Sequence, residues 1–391
     1  MARVSPSVPG LAAAMAVAMG AGPLIVYAIS ALSPFLVPAM DLSRTQYGSL
    51  ATLTFAAAAL SSIWAGRIVD TTGARQVMFW LVTGATGAML AAAFAPNYPV
   101  LVLAVLASGV IQALSNPVTN RLAATWVPPG PRGIVMGVKQ SGVQMIQATT
   151  GLLLPTVAVA AGWRGAMAIA GGACLLLGVS LAAKFVPAER VVHRSTSAVT
   201  GARLPAPVWW LTGFIFMTGA AMQGANFYLP LFGYEELDLP VSTAGLLAAV
   251  VGTTGIAARI AWGRVAERLG GRVAMPALAL GGAGAVALIL TSLMLHPALV
   301  WVGAFLLGAT GVAANVVVMV SVIHVVPSHA IGRASGVVAL GMYLGFTAGP
   351  VSVGAVVDVV GDYSAAWTAL AVIYLLGLVA AAGYARQTRR P

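Results

Sequence analysis

Long apolar runs, separated by single charges or short charged clusters, dominate the pattern of this chain. A transmembrane helix needs about 20 apolar residues to cross roughly 30 Å of hydrocarbon. Ten uncharged runs are about that long or longer, and two of them are twice too long and are interrupted near the middle, by APNYP and by HP. The runs are 4–40, 45–66, 76–120, 140–163, 165–183, 204–234, 239–258, 273–332, 334–357 and 363–385. Splitting the two long runs predicts twelve transmembrane helices.

The composition agrees with an all-α membrane protein. Hydrophobic residues make up 60% of the chain, charged residues 7%, and the mean hydropathy is +0.95. In soluble domains roughly a quarter of the residues are charged. The N-terminal apolar segment, about 27 residues from Leu11, is too long for the core of a cleaved signal peptide and is interpreted as the first span. We therefore expect a multi-pass protein embedded in the lipid bilayer of the cell membrane.

The net charge of +11 is explained by topology. If the N-terminus is inside, only Arg44 and Arg164 of the twenty Lys and Arg residues lie in outer loops. Arg121, Lys139 and Arg259 lie within or near spans, and the other fifteen are cytoplasmic. The positive-inside rule describes this distribution. Both termini are therefore expected in the cytoplasm, and a nucleic-acid partner is not expected.

Signals for catalysis, metals and cofactors are missing from the sequence. Cys174 is the only cysteine, the four histidines are scattered without a zinc-ligand spacing, and no GxxxxGK[ST] motif occurs. We therefore expect neither an enzyme nor a resident metal or cofactor. The expected ligand is a small-molecule substrate, handled by a monomer.

The two halves of the chain repeat one pattern. Six residues recur 197 positions later, and four more recur 199 positions later. The first set is Asp41, Leu42, Gly48, Gly66, Gly73 and Arg75, answered by Asp238, Leu239, Gly245, Gly263, Gly270 and Arg272; the second is Pro128, Gly133, Gly137 and Gly162, answered by Pro327, Gly332, Gly336 and Gly361. Duplication of a six-span unit keeps both copies in the same orientation. We predict a six-helix bundle at 1–186, a cytoplasmic linker at 187–207, and a second six-helix bundle with a short basic tail at 208–391.

Two loop motifs carry a family resemblance. GRIVDTTGAR at 66–75 and GRVAERLGGR at 263–272 resemble the loop motif after spans two and eight of the major facilitator superfamily. The resemblance implies two pseudo-symmetric bundles and a conformational gate, in which each motif acid faces the N-terminal end of a helix in the opposite half. Asp70 would meet the start of span eleven near Arg333, and Glu267 the start of span five near Arg132. The implied gate residues are Gly66, Asp70, Gly73, Arg75, Gly263, Glu267, Gly270, Arg272, Arg132 and Arg333.

Positive and amide side chains lie inside the predicted spans, whereas all nine carboxylates lie in loops or near span ends. Lys139, Gln140, Gln144, Gln147 and Thr150 fall within an arc of about 140° on one helix face of span five. An ionisable group inside the membrane is a functional hypothesis by default. The alternative is that the lysine snorkels to the inner headgroups, which leaves the three glutamines on the same face unexplained.

Arg259 is the second candidate for a substrate contact. It precedes Gly263 by four residues and Glu267 by eight. This spacing resembles span eight of oxalate/formate exchangers and monocarboxylate porters, which implies that the arginine holds the substrate carboxylate. A guanidinium suits that task because its fork of donors matches a carboxylate bidentately. The alternative is a boundary arginine at the inner surface. Span eleven lacks the lysine of the oxalate exchanger, so the particular carboxylate stays open.

Uncharged polar residues complete the predicted substrate site. Tyr27 in span one, Asn116 in span four and Asn226 in span seven lie in spans that line the cavity in the resembled family, although such residues also serve as helix-packing contacts. We predict a secondary or facilitative transporter of a small, monocarboxylate-like organic anion that works by alternating access. The alternatives are a multidrug or neutral-metabolite efflux facilitator, and a membrane sensor that keeps the fold without transport.

Overall fold

The computed structural model describes residues 7–188, 204–327 and 330–388, and the predicted linker at 187–207 falls mostly outside these ranges. The described residues form α-helices, with one short 3₁₀ turn at Gly311–Ala313 and no strand. The helices are α1 Val8–Ala21, α2 Leu24–Ala31, α3 Ser33–Ala39, α4 Arg44–Thr72, α5 Ala74–Ala93, α6 Tyr98–Gln112, α7 Ser115–Trp126, α8 Arg132–Phe185, α9 Ala206–Glu235, α10 Val241–Leu269, α11 Gly271–Ser292, α12 Leu299–Thr310, α13 Ala314–Val325, α14 Ile331–Val360 and α15 Ser364–Gln387.

These helices make twelve spans, which confirms the prediction. Nine helical stretches of the described chain are long and apolar enough to cross a membrane, and the bent pair of α1 and α2 makes a tenth. One of the nine, the 54-residue α8, crosses twice because it bends sharply at Gly162. The twelfth span is α9, with 30 residues. Spans one, four and ten are each built from consecutive short helices: α1–α3, α6–α7 and α12–α13.

Span one, expected from the apolar segment that starts near Leu11, is bent rather than straight. Its first two helices meet at an angle of 58°, on either side of Gly22 and Pro23. Proline lacks a backbone N–H and its ring collides with the preceding turn, so it bends a helix even where every neighbour is apolar. The hydrophobic pattern alone does not report this bend.

The described residues divide into two compact units. The first comprises those of Met1–Met40 and Ala56–Thr196, and the second those of Asp41–Phe55 and Ser197–Pro391. The N-terminal part of α4, up to Phe55, therefore belongs to the second unit, although it precedes most of the first unit in sequence. Each unit has its own apolar core, with Leu81 and Val118 in the first and Phe214 and Val317 in the second.

Small residues let the helices of each unit approach closely. Gly142 of α8 packs directly on the backbone of Ala16 in α1, and its counterpart 199 positions later, Gly341 of α14, packs on Thr212 in α9. A side chain on either glycine would collide with the neighbouring helix. Close contact between small residues is a general basis of helix association in membranes. The two units therefore use equivalent glycines for equivalent helix pairs.

The backbone itself repeats. Positive φ angles occur at six described positions, and these form three pairs at the offsets found in the sequence. The pairs are Asp41 and Asp238 (φ 48° and 50°), Gly73 and Gly270 (94° and 74°), and Gly162 and Gly361 (70° and 86°). L-residues with a Cβ rarely adopt this region. The recurring glycines and aspartates thus mark turns of the same shape in both units.

Candidate functional site

The polar face predicted for span five lies inside the first unit. Lys139, Gln144 and Gln147 are each at most 2% exposed, and Thr150 is buried beside them. Gln140 is half-buried. The helix that carries them, α8, begins at Arg132, so the face extends from the second turn into the middle of the span.

The Lys139 ammonium points toward span four. Its Nζ donates to Thr119 Oγ1 at 2.9 Å and to Asn120 Oδ1 at 2.5 Å. Thr119 is buried and in turn donates to the backbone oxygen of Ser115 at 2.7 Å. Both acceptors are neutral. With 1% exposure the ammonium does not snorkel, and its hydrogen-bond partners in the described chain include no carboxylate.

Residues beside the bend of span one contact Thr119, the hydrogen-bond partner of Lys139, and the neighbouring helix α8. Met19 Sδ lies 3.6 Å from Thr119 Oγ1. A Cβ built on Gly20 would lie 2.8 Å from the backbone oxygen of Gly142 in α8, and one built on Gly22 would lie 2.7 Å from Ser115 Oγ. The segment of span one from Met19 to Gly22 therefore contacts span four through Met19 and Gly22, and span five through Gly20. The packing is close because no side chain intervenes at the two glycines.

The buried side-chain oxygens that have no hydrogen-bond partner in the described structure include three on spans four and five. They are Gln112 Oε1, Ser115 Oγ and Gln144 Oε1. Gln112 ends α6 and Ser115 begins α7, so both flank the interruption of span four. Ser115 and Thr119 are not among the residues predicted from the sequence, because a hydroxyl on an apolar helix gives no signal of its own.

The remaining predicted substrate residues are divided between the units. Tyr27 on α2 is buried, and Asn116 on α7 is half-buried, both in the first unit. Asn226 on α9 is buried in the second unit, and Arg259 is half-buried on α10 of the same unit. One turn from Arg259, the Trp262 indole donates to the backbone oxygen of Ala309 at 2.8 Å and ties span eight to span ten.

Predicted gate residues of the first unit bond within that unit. Asp70 lies 3.4 Å from Arg121, whose guanidinium also donates to the backbone oxygen of Val69 at 2.8 Å. Arg75 donates to the backbone oxygen of Ala183 at 3.0 Å, near the end of span six. Arg132 caps the end of span four through the backbone oxygen of Val127 at 2.9 Å. These contacts join neighbouring spans at one end of the bundle.

The second unit uses its motif similarly. Arg272 donates to Thr388 Oγ1 at 2.9 Å, at the end of span twelve, as Arg75 does at the end of span six. Glu267 is exposed, and Arg333 is exposed at the start of α14. Gly270 adopts φ 74° directly before α11, as Gly73 does before α5, whereas Gly66 has open space where a Cβ would be and Gly263 packs near Val316. Gly73 and Gly270 are therefore required for the turn, whereas Gly66 and Gly263 lie within helices and only Gly263 has a neighbour in packing distance.

A charged network closes the other end of the second unit. Arg44 lies 2.7 Å from Glu235, which also accepts a hydrogen bond of 2.7 Å from the Tyr363 hydroxyl. Both oxygens of Asp358 accept backbone N–H groups at the start of α4, from Arg44 at 2.9 Å and Thr45 at 2.8 Å. A carboxylate at this position satisfies otherwise unpaired amides and is favoured by the helix dipole. We call Arg44, Glu235, Asp358 and Tyr363 the outer network.

Burial shapes the chemistry of the outer network. It raises the pKa of the Tyr363 phenol well above its usual range, and the nearby negative charge of Glu235 raises it further. The phenol therefore remains a hydrogen-bond donor to the carboxylate. The sequence predicts Arg44, Glu235 and Asp358 in loops or near span ends, but it does not indicate that they meet, since they are separated by up to 314 residues.

The chain is similar to a protein-family model and to two curated transporters. The family model described as Major Facilitator Superfamily matches residues 10–338. The hexuronate transporter of Bacillus subtilis (strain 168) is 25% identical over 59% of this chain and 58% of its own length. The gallate transporter of Pseudomonas putida is 26% identical over 36% of this chain and 31% of its own length. The chain thus matches less than two thirds of either curated relative.

Solved structures share the fold at low sequence identity. A bacterial homologue of the human lysosomal transporter Spinster superposes with a TM-score of 0.77 at 15% identity, over 100% of this chain and 98% of that one. The nucleoside transporter NupG superposes with a TM-score of 0.78 at 14% identity, over 97% of this chain and 100% of that one. Because the family model spans most of the sequence and these folds agree over its whole length, the chain belongs to the Major Facilitator Superfamily.

Proposed function

We propose that this protein is a secondary or facilitative transporter that moves a small organic anion across the membrane by alternating access. Membership in the superfamily supports transport rather than catalysis. The cell membrane is the proposed location, with both termini in the cytoplasm as the distribution of basic residues favours. The charge of the preferred substrate depends on the side chains of the binding region.

The observation that supports an anionic substrate is the buried ammonium of Lys139, which donates to two neutral acceptors. A charge removed from water is costly unless an opposite charge or several hydrogen bonds compensate it. Thr119 and Asn120 compensate by hydrogen bonding but leave the charge un-neutralised. A carboxylate that replaced the Asn120 side chain as acceptor would supply the missing negative charge. Asn120 itself is exposed, so the ammonium lies one side chain from the accessible surface of the unit.

Arg259 supports the same preference from the second unit. It stands half-buried on α10, at the position where the resembled monocarboxylate porters place a carboxylate-binding arginine. We propose it as the second anchor, with Gln140, Gln147, Tyr27, Asn116 and Asn226 as hydrogen-bonding contacts. The names of both curated relatives also denote organic acids, a hexuronate and gallate. Each of these compounds carries a carboxylate.

Uptake into proteoliposomes tests the proposal. A panel of radiolabelled carboxylates is compared with the corresponding neutral amides in the parent protein, in Lys139→Gln and in Arg259→Lys. We expect the acids to be preferred. Loss of a charge-assisted hydrogen bond in Lys139→Gln should weaken acid binding by about 10-fold to 100-fold, and Arg259→Lys should impair transport because the bidentate fork is lost.

Lys184→Gln is the matched control, because Lys184 is an exposed lysine at the end of the same helix. Its uptake should equal that of the parent. If the amides compete as well as the acids in the parent protein, the anion proposal is wrong and a neutral substrate fits the glutamine face better.

A further inference from the structure

The amino group of Lys139 has fewer acceptors than an ammonium needs. Its Nζ donates to Thr119 Oγ1 at 2.9 Å and to Asn120 Oδ1 at 2.5 Å, and the described residues offer it no third acceptor. An ammonium carries three N–H donors, whereas a neutral amine carries two together with a lone pair. The two contacts therefore satisfy every donor of the amine but leave one N–H of the ammonium unsatisfied, in a side chain that is only 1% exposed.

Both hydrogen-bond partners of Lys139 are neutral. The Thr119 hydroxyl donates its own proton to the backbone oxygen of Ser115 at 2.7 Å, so it faces the lysine as an acceptor, and the partner on Asn120 is an amide oxygen. Burial of an unpaired charge is so costly that an ionisable group usually becomes neutral instead. A lysine can do this by releasing a proton, whereas an arginine keeps its charge. The surroundings of Lys139 therefore favour the neutral amine when no anion is bound.

The helices packed against α8 bring no carboxylate to Lys139. They are α1, α2, α3, α5 and α7, and of these α1 and α3 have no ionisable side chain. Within the described residues of the first unit the carboxylate is Asp70, whose side chain is 65% exposed and pairs with Arg121. The ionisable groups on the packed helices and on the rest of α8 are Tyr27, Arg75, Arg121, Arg132, Arg164, Cys174 and Lys184. Most of these groups are cations, so they provide no charge that favours an ammonium.

We propose that Lys139 is the proton-binding site of this transporter and takes up a proton together with the carboxylate of the substrate. In the ligand-free protein its side chain is a neutral amine on Thr119 and Asn120. When the anion binds, the lone pair of Nζ forms a bond to a proton from bulk water. One carboxylate oxygen then takes the place of Asn120 as acceptor, and the other accepts the new N–H. On release of the anion this N–H bond breaks and the proton returns to water. The inference rests on the proposed anion transport and specifies its coupling ion.

Charge balance gives the consequence for transport. A monocarboxylate and a proton together add no net charge, so the free and the loaded forms of the site carry the same charge. Neither form then holds an ammonium without a counter-charge at low dielectric. Transport of a monocarboxylate is therefore electroneutral and is driven by a proton gradient. Arg259, the other proposed anchor, does not serve in this way because a guanidinium stays charged.

NMR measures the charge of Lys139 directly, because the chain contains only one other lysine, Lys184. Lysine labelled with carbon-13 at Cε gives two signals whose chemical shifts report the charge of the adjacent nitrogen, and Lys184→Arg assigns them by removing one. In the ligand-free protein at about pH 8.5, roughly two units below the ordinary pKa of lysine, we expect the neutral form at Lys139 and the charged form at the exposed Lys184. Addition of glucuronate or benzoate should shift the Lys139 signal to the charged form.

Proton uptake on binding gives an independent measure. Calorimetry with the same two acids, in buffers of different ionisation enthalpy at the same pH, should show about one proton taken up per bound carboxylate. The apparent dissociation constant should accordingly rise by up to about 10-fold for each further pH unit. In proteoliposomes a pH gradient that is acid outside should drive uptake, whereas an imposed membrane potential should not.

Lys139→Arg separates the positive charge from its titration, since arginine stays protonated. We expect this variant to prefer acids over amides, as the parent does, but to take up no proton on binding and to bind with little dependence on pH. Lys184→Arg makes the same exchange at the exposed lysine of the same helix and should behave like the parent.

The outcomes distinguish this inference from the transport proposal. A charged Lys139 in the ligand-free protein at that pH overturns the inference, and so does binding of acids to the parent without proton uptake. In either case a preference for acids over their amides still supports anion transport. If the amides bind as well as the acids, the anion proposal is wrong and this inference fails with it. The NMR measurement requires neither a ligand nor a variant of Lys139, so it decides the question even if Lys139→Arg does not fold.

Discussion

The two units share a backbone plan but place their charges differently. In the first unit the ammonium of Lys139 is buried on neutral acceptors. In the second unit Arg44 and Glu235 form a direct ion pair at one end, supported by Tyr363. Removing one partner of a partly buried ion pair leaves an uncompensated charge and destabilises the protein, whereas a charge that is solvated only by neutral groups is available to an anionic ligand. Duplication has thus preserved the turns and left the polar chemistry free to diverge.

The helix interruptions differ in the same way. The first span of the first unit is broken at Gly22 and Pro23, whereas its counterpart in the second unit, α9, runs unbroken over 30 residues. Beside α9, the interruption of span ten at Gly311 lies near Met222 and the hydroxyl of Tyr374. The first unit therefore concentrates broken helices and a buried charge in one place. The second is more regular and carries its paired charges at the end.

The largest expected effect on stability is at Arg44, and it contrasts with the small effect expected when Lys139 is neutralised. Arg44→Gln should destabilise the protein by about 2 kcal/mol, because it leaves Glu235 partly buried without its partner. Lys139→Gln should leave stability unchanged or raise it, since it removes an un-neutralised buried charge. Thermal unfolding in detergent measures both.

Arg264→Gln is the control for this comparison, since Arg264 is an exposed arginine of the second unit. It should unfold like the parent. If Lys139→Gln destabilises as strongly as Arg44→Gln, the two charges have the same structural role and the contrast between the units fails.

The shared turns should respond equally in both units. Gly73→Ala and Gly270→Ala each force a Cβ into positive φ, which costs about 1–2 kcal/mol. Gly137→Ala and Gly336→Ala are controls at another repeated pair, where both glycines lie in helices with open space around the added Cβ. These should be neutral or slightly stabilising, because alanine favours the helix. A clear difference between Gly73→Ala and Gly270→Ala in unfolding temperature would show that the repeated turns are not equivalent.

The smallest effect on stability is expected at the motif acid. The pair of Asp70 and Arg121 is largely exposed on the acid side, so Asp70→Asn should change stability by less than about 1 kcal/mol. We predict instead that it shifts the populations of transport states, because the family pattern pairs this acid with the start of span eleven near Arg333 in one of them. Interspin distances measured across that gate decide the matter. Unchanged distance distributions in Asp70→Asn and in the equivalent Glu267→Gln would refute the gate assignment.

The sequence by itself determined the number of spans and the internal repeat. Apolar runs of the right length predict spans because each must satisfy its own backbone in lipid, and local composition is enough to show that. The recurring Gly73 and Gly270, or Asp41 and Asp238, mark turns because backbone geometry at one residue depends on that residue. The polar face of span five was visible for the same reason, since side chains four residues apart share a face of one helix.

Only the tertiary structure decided which groups meet. Lys139 and Thr119 lie on different helices, and the direction of the ammonium depends on how spans four and five pack. Asp358 and the start of α4 are more than 300 residues apart, and the sequence does not show that this carboxylate accepts hydrogen bonds from the backbone N–H groups of Arg44 and Thr45. The orphan oxygens of Ser115 and Gln144 appear only once every neighbour is in place, because a missing hydrogen bond is a property of the whole surroundings.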